Sequence, residues 1–151
     1  MNYWLLKSEP ITYSIDHLKT NKIDFWDGVR NYQARNYLKA MNVGDLFLFY
    51  HSVTDPIGIA GIAKIVKTAY PDPTQFDKNS KYFDPKATKE KPIWFCPEVK
   101  FVEKFKNILP LPEIKKYKEL QNMPLLQKGS RLSVQPVTEN EFTFICDLVQ
   151  K

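Results

Sequence analysis

Runs of β-branched and aromatic residues, separated by turn-forming residues, predict six short strands along the chain. The run NYWLLK at 2–7 ends at Ser8-Glu9-Pro10, which is typical of a strand that leaves into a turn. The run at 93–106 alternates apolar and polar residues in its second half and therefore predicts one exposed face. Pro97 within it requires a bulge or an edge position. The predicted strands are 2–7, 23–26, 45–51, 57–67, 93–106 and 131–137.

Helical patterns connect these strands. One segment carries apolar residues at i, i+3, i+4 and i+7, the spacing of a helix with one buried face. These residues are Ala34, Tyr37, Leu38 and Met41. Ser14 is suited to cap the start of a short helix, and Thr138 with Glu141 forms a T-x-x-E capping box for a helix that closes the chain. The predicted helices are 13–19, 31–41, 111–120 and the segment after Thr138.

Residues 70–92 follow neither pattern and contain four prolines. A long irregular segment inside a compact domain is usually functional or disordered. The aromatic residues in it favour a segment that is held against the body of the protein; they are Tyr70, Phe76, Tyr82 and Phe83. We find no repeat and no linker, so residues 1–151 are predicted to form one α+β domain around a curved sheet or small β-barrel.

The composition and net charge indicate what kind of partner the protein binds. The chain of 151 residues is long enough to bury a core, but its aromatic content of 14% exceeds what core packing normally demands. A net charge of +5 and a pI near 9.1 predict attraction to a polyanion. Cys96 and Cys146 are too few for a disulfide framework or a zinc site, and they indicate small buried side chains in a reducing compartment. The N-terminal residues do not resemble a signal peptide, and no apolar stretch is long enough to cross a membrane, so we expect a soluble cytoplasmic protein.

The residues that catalysis requires are scarce. His17 and His51 are the only histidines, and neither stands in a serine-elbow or Cys-His pattern, although His51 is next to Ser52. No metal-binding spacing and no phosphate-binding glycine loop is present in the sequence. We therefore expect no enzyme, no metal and no cofactor, with a small hydrolase that uses His51 as a lesser alternative.

A binding pocket for a nucleic-acid base fits the residues better. The stretch GVRNYQARNYL at 28–38 follows Trp26 and combines rings, arginines and amides. A base held between aromatic faces gains about 1–3 kcal/mol whatever its identity, so polar groups must then identify it. The candidate rings are Trp26, Tyr32, Phe49 and Tyr50, and the candidate polar groups are Ser8, Asn31, His51 and Ser133. In the alternative interpretation Trp26 and Phe49 belong to the core, and the arginines are surface charges or partners of a carboxylate.

Several long segments, in this order, resemble the EVE-domain family, a PUA-like family. They are YWLLKSEP, WDGVRNYQARN, GDLFLFYHS, GIAGIAKIV, AYPDPTQFD, YFDPK and GSRLSVQPV, and the resemblance covers about residues 2–149. It implies a strongly bent, mostly antiparallel sheet that approaches a barrel, surrounded by helices. Such a fold is similar to the YTH and SRA domains, which take a modified base into an aromatic pocket. The resemblance therefore implies a base-flipping reader of modified nucleobases, with modified cytosine (5-methylcytosine) in DNA preferred and RNA as an alternative partner.

The resemblance also implies a residue for each part of the pocket. The base pocket would comprise Ser8, Trp26, Asn31, Tyr32, Phe49, Tyr50, His51, Ser52 and Ser133. Contacts to phosphate would come from Lys7, Arg30, Arg35 and Arg131, with Arg35 partly structural because it follows the buried Ala34. The sequence departs from the family at Cys96-Pro97 and at Phe142, both outside these motifs. The alternatives are an RNA-binding module, with transfer RNA as one such ligand, and a protein-interaction domain.

Overall fold

The computed structural model describes residues 1–150, which form a six-stranded open sheet with four α-helices. The strands are β1 Tyr3–Ser8, β2 Ile23–Phe25, β3 Leu46–His51, β4 Gly58–Pro71, β5 Phe95–Pro110 and β6 Val134–Val137. The helices are α1 Ile15–Asn21, α2 Tyr32–Ala40, α3 Leu111–Ile114 and α4 Glu139–Val149. The sheet order is β2-β5-β4-β3-β1-β6, and only β1 and β3 pair in parallel. The predicted α+β class and mostly antiparallel sheet are confirmed, and the sheet is open rather than closed into a barrel.

The centre of the sheet is buried on both faces. Along β1, Leu5 packs into the core beneath α3 and α4, whereas Leu6 packs into the core beneath α1 and α2. Both side chains are fully buried. Strand β3 continues this arrangement, because Leu48 lies opposite Leu5 and Phe49 lies opposite Leu6. Successive side chains of a strand point to opposite faces, so consecutive apolar residues in β1 and β3 serve two separate cores.

Two predicted elements differ from the observed ones. The predicted helix 111–120 stops after one turn, where the side-chain amide of Gln121 donates to the carbonyls of Lys115 and Tyr117. These bonds satisfy carbonyls that a longer helix would have used. The predicted strand 131–137 begins only at Val134, so β6 is a short edge strand. The helix predicted over 31–41 and the closing helix with its capping box are confirmed.

Pro97 lies on β5 opposite a bulge in β4, so the pairing is irregular at this position, as its sequence context requires. Opposite this part of β5, the register moves from Lys67 paired with Glu98 to Tyr70 paired with Cys96, leaving extra residues between them on β4. The backbone carbonyl of Pro97 accepts a hydrogen bond from the Trp26 amide at 2.9 Å. Bulges bend and twist the strand that contains them. The Trp26–Pro97 hydrogen bond continues the β2–β5 pairing one residue beyond Phe25 and Glu98, and it places Trp26 beside the sheet.

The irregular segment after β4 is held by buried polar side chains. The Gln75 amide group donates to the carbonyls of Asp72 and Trp94 and accepts from the amides of Ile93 and Trp94, all at 2.8–3.0 Å. The carboxyl of Asp84 accepts from the Trp94 indole at 2.8 Å. Buried backbone groups need such partners when no helix or strand supplies them. The segment is thus held against the body of the protein, as predicted, and these polar groups contribute to its attachment.

No helix within residues 1–150 is both long enough and apolar enough to cross a membrane.

Candidate functional site

A cavity of about 390 Å³ opens where the end of β1, the end of β2 and the irregular segment after β4 meet. Its volume lies in the range of pockets that hold small molecules. Aromatic rings and polar groups alternate around it. The lining residues are Lys7, Ser8, Glu9, Thr12, Tyr13, Asp24, Phe25, Trp26, Asp27, Gly28, Val29, Arg30, Tyr82 and Ser133.

Trp26 forms an inner wall of this cavity. Its side chain is 7% exposed and packs edge to face against Phe47 and Phe49, with ring centroids 5.5 and 5.2 Å apart. The Tyr13 ring meets the indole edge to face at 6.3 Å, and its hydroxyl donates to the Asp24 carboxyl at 2.8 Å. Trp26 is therefore a core residue, as the alternative interpretation of its sequence context predicts, and it also lines the cavity.

Tyr82 forms another wall, and Gly28 makes room for it. Gly28 has a φ of +82°, and a Cβ built at this position would lie 2.6 Å from Cζ of the Tyr82 ring. Any side chain at position 28 would therefore strain the backbone and displace the ring. The amide of Gly28 donates to the Asp72 carboxyl at 2.8 Å, which holds the turn against the start of the irregular segment.

Arg30 holds Tyr82 at the cavity through hydrogen bonds. Its Nε and Nη2 atoms donate to the Tyr82 carbonyl at 3.1 and 2.9 Å. Its remaining bonds reach the Asp72 carboxyl, the Thr74 hydroxyl and the Val29 carbonyl, so five hydrogen bonds use the five N–H donors of the guanidinium. The predicted phosphate contact at Arg30 is corrected by this geometry, because no donor is left for a phosphate oxygen. Arg30 is a structural clamp.

The other three residues predicted to contact phosphate do not lie together in the structure. Lys7 lines the cavity, and burial lowers the pKa of its ammonium group. Arg35 lies outside it, where Nη1 donates to the Ile93 carbonyl at 3.0 Å and the guanidinium covers the Tyr32 ring at 4.9 Å. This contact agrees with the partly structural role predicted for Arg35. Arg131 is exposed and does not line the cavity.

Residues Asn31 and Tyr32 do not form the predicted pocket wall. The Asn31 side chain accepts from the Ala34 amide at 2.9 Å and caps α2 on the exposed surface. Tyr32 is 60% exposed and stacks on Trp94 at 5.0 Å. Because a cap residue must turn its side chain back toward its own helix, Asn31 faces the helix rather than the cavity.

The FYHS segment does not form a wall either. Phe49 is fully buried beneath α1 and α2, whereas Tyr50 points to the opposite core, where burial raises the pKa of its phenol to about 12. The Nε2 atom of His51 accepts from the Ile15 amide at 3.1 Å, and burial lowers the pKa of this imidazole. Successive side chains of a strand point to opposite faces of the sheet, and the Phe49 and Tyr50 rings accordingly pack in separate cores. The Nε2 lone pair caps α1, which removes the group that the hydrolase alternative requires.

Ser52 also lies outside the cavity, with its amide bonded to the carbonyl of Ser8. Of the predicted base-pocket residues, the cavity gathers Ser8, Trp26 and Ser133. The Ser8 hydroxyl donates to the Tyr13 carbonyl at 2.7 Å and supports the turn at the cavity mouth.

The sequence patterns missed most of the other lining residues, above all Tyr13, Asp27 and Tyr82. These three belong to separate segments, and no local pattern connects them. Within residues 1–150 no group of three or more His, Cys, Asp or Glu side chains is arranged to hold a metal ion. Cys96 is a buried free thiol, and burial raises its pKa to about 12.

Comparison with known proteins identifies the family. The EVE domain model matches residues 2–148. Thymocyte nuclear protein 1 from Homo sapiens is 44% identical over 99% of this chain and 75% of that protein, and the Gallus gallus protein is 45% identical over 99% of this chain and 69% of that protein. A Pseudomonas syringae crystal structure at 55% identity has a TM-score of 0.95, with 97% of this chain and 98% of that chain covered.

A second crystal structure contains a ligand. It is human THYN1 in complex with 5-methylcytosine-containing DNA, at 44% identity and a TM-score of 0.94, covering 100% of this chain and 99% of that chain. An ASCH protein from Zymomonas mobilis, at 7% identity and a TM-score of 0.54, shares the fold alone. The sequence match over nearly the whole length and the agreement of the folds show that this chain belongs to the EVE-domain family.

Proposed function

We propose that this protein binds DNA containing modified cytosine and holds one extruded base in the cavity between Trp26 and Tyr82. The observation that carries the proposal is the cavity itself, which opens on the surface and is lined by rings and by polar groups without being filled by the protein. The human relative that was crystallised with 5-methylcytosine-containing DNA supports DNA as the ligand.

Charge would bring the strand to the cavity. The net charge of +5 favours a polyanion, and Lys7 lies at the cavity. Five exposed lysines follow in the segment that carries Tyr82; they are Lys78, Lys81, Lys86, Lys89 and Lys91. Lysines that neutralise phosphates release counterions, so binding by these residues weakens with salt and does not depend on sequence.

The free-energy cost of extruding a base is similar to the gain from stacking it on aromatic side chains. Taking one base out of its stack costs a few kcal/mol, and stacking on aromatic side chains returns about 1–3 kcal/mol per base. A methyl group that fills an apolar niche adds about 0.8 kcal/mol, which corresponds to roughly fourfold in affinity. Recognition therefore depends on both the rings and the polar edge of the base. We propose binding without catalysis, since the His51 imidazole is engaged in capping α1.

The test is a titration with oligonucleotides that carry cytosine, 5-methylcytosine or 5-hydroxymethylcytosine at one position, at fixed salt, in DNA and in RNA. We compare the wild-type protein with Tyr82→Ala, which removes a cavity wall, and with Tyr32→Ala, which removes a 60% exposed tyrosine outside the cavity. We expect Tyr82→Ala to weaken binding of the methylated DNA by about 1–3 kcal/mol and Tyr32→Ala to leave it unchanged. Equal effects of the two substitutions, or tighter binding of the RNA, would contradict the proposal.

A further inference from the structure

Three aspartates surround the cavity, and their carboxyl groups differ in how many hydrogen bonds they already accept. Asp24 accepts from the Tyr13 hydroxyl, the Asn21 side chain and the Phe25 amide. Asp72, which lies behind the cavity wall, accepts from Gly28, Arg30 and Thr74. Asp24 thus accepts three hydrogen bonds from the protein and Asp72 accepts four, so both have less acceptor capacity left for a ligand than a carboxylate without such partners.

Asp27 is different. It lines the cavity and is half-buried, and among residues 1–150 the only group that donates a hydrogen bond to its carboxyl is its own backbone amide. A half-buried carboxylate with unused acceptor positions is solvated less well than an exposed one, because water is partly excluded from it. Asp27 therefore presents acceptor capacity that the protein leaves unused and that a ligand in the cavity can satisfy.

The chemistry of an ionised carboxylate restricts which bases it favours. Such a group only accepts hydrogen bonds. Cytosine carries an amino donor at position 4, whereas thymine carries a carbonyl acceptor at the same position. 5-Methylcytosine and thymine both carry a methyl group at C5, so a pocket that recognises the ring and the methyl alone does not separate them. An acceptor-only side chain that faces position 4 attracts the first base and repels the second.

We propose that the Asp27 carboxylate accepts a hydrogen bond from the exocyclic amino group of the extruded base and thereby selects 5-methylcytosine over thymine. This inference rests on the proposed function. It adds a specificity-determining residue to it, because stacking by Trp26 and Tyr82 is tolerant of base identity.

The ionisation state of Asp27 makes the strength of this contact depend on pH. Burial first, and then the charge of Asp72, raise the pKa of the Asp27 carboxyl above its usual range. Asp24 acts in the same direction, and Arg30 opposes it. The other ionisable groups at the cavity are Lys7, Glu9, Tyr13 and Tyr82. An amino group that donates to the carboxylate stabilises the charged form, so binding of 5-methylcytosine should weaken as pH falls through the raised pKa of Asp27.

The experiment compares two oligonucleotides that differ only by 5-methylcytosine or thymine at the central position. The proteins are the wild type, Asp27→Asn, and Asp147→Asn, which removes the same charge from the exposed face of α4. We expect the wild type and Asp147→Asn to prefer 5-methylcytosine by about tenfold. Asparagine offers both a donor and an acceptor and can turn either one toward the base, so Asp27→Asn should bind the two oligonucleotides within about twofold of each other.

A second measurement does not depend on any variant. Wild-type affinity for the 5-methylcytosine oligonucleotide is followed between about pH 5 and pH 8, and we expect it to decrease toward the acidic end. An affinity that increases toward acid would contradict an ionised Asp27 as the acceptor of the amino group and would overturn the inference.

The outcomes separate the two proposals. Wild-type protein that prefers 5-methylcytosine while Asp27→Asn keeps the same preference overturns the role of Asp27 and leaves the proposed function intact. Wild-type protein that binds the two oligonucleotides equally also overturns the role of Asp27, and it leaves a pocket that recognises only the ring and the methyl group. The proposed function fails separately, if the titration described above shows no difference between cytosine and 5-methylcytosine. Melting curves of each variant confirm that the comparison is made between folded proteins.

Discussion

The substitution Gly28→Ala tests whether Tyr82 is a wall of the binding cavity. Gly28 has a φ of +82°, and an added Cβ would lie 2.6–2.9 Å from three atoms of the Tyr82 ring. Alanine therefore meets two difficulties, a left-handed backbone and a steric clash. Because the clashing atoms lie at the far end of a half-buried side chain, we expect the ring to move and the backbone to stay in place.

The expected loss of stability is the sum of a backbone contribution and a contribution from the displaced ring. A non-glycine residue in the left-handed region costs about 1–2 kcal/mol. Displacing the ring removes its contact with the Arg30 guanidinium, 5.5 Å away, which adds about 0.5–1 kcal/mol. The total is about 1.5–3 kcal/mol, and each kcal/mol lowers the melting temperature by about 2–4 °C in a chain of this size.

Gly44→Ala is the matched control. Gly44 has a φ of +97°, but a Cβ at that position would have no atom within 4 Å. It therefore carries the backbone cost without the clash. Urea denaturation measures the free energy of unfolding of both variants, and titration with the 5-methylcytosine oligonucleotide measures their affinity. We expect Gly28→Ala to be less stable than Gly44→Ala and to bind at least about fivefold more weakly. Equal stabilities together with equal affinities would refute the placement of Tyr82 in the binding site.

Three further predictions concern residues around the site. Asn31→Ala should lower the free energy of unfolding by about 1 kcal/mol through loss of the α2 cap, while affinity for the oligonucleotide in the same titration stays unchanged. Arg30→Lys should lower the free energy of unfolding by about 2 kcal/mol, because an ammonium group cannot replace the five hydrogen bonds of the guanidinium. Hydrogen exchange of the backbone amides near Tyr82 should become faster. Unaltered exchange would contradict the structural role of Arg30. Burial lowers the pKa of His51 in the folded protein, so stability should be complete above about pH 6.5 and should decrease as pH falls below it. His51→Gln should flatten this dependence in urea denaturation, and a dependence that persists would assign it to another group.

Much of the secondary structure is visible in local patterns. The spacing of Ala34 and Leu38 predicts α2, and the Thr138–Glu141 box predicts α4, because both patterns concern residues within one or two turns of each other. Alternation predicts the long strands as well. The same alternation already shows that Phe49 and Tyr50 cannot face one pocket, a signal that the family motif obscured.

The sequence by itself therefore determined the class of fold, most helices and strands, and the family, with Ser8, Trp26 and Ser133 correctly placed near one cavity. Only the tertiary structure decided which residues complete that cavity. Tyr82 reaches it because Arg30 bonds to its carbonyl across 52 residues of chain, and the hydrogen bond from the Trp26 amide to the Pro97 carbonyl holds Trp26 beside β5. Local patterns record what a segment prefers within a few residues. The cavity instead depends on hydrogen bonds between distant segments, such as those from Gly28 and Arg30 to Asp72, which no local pattern contains.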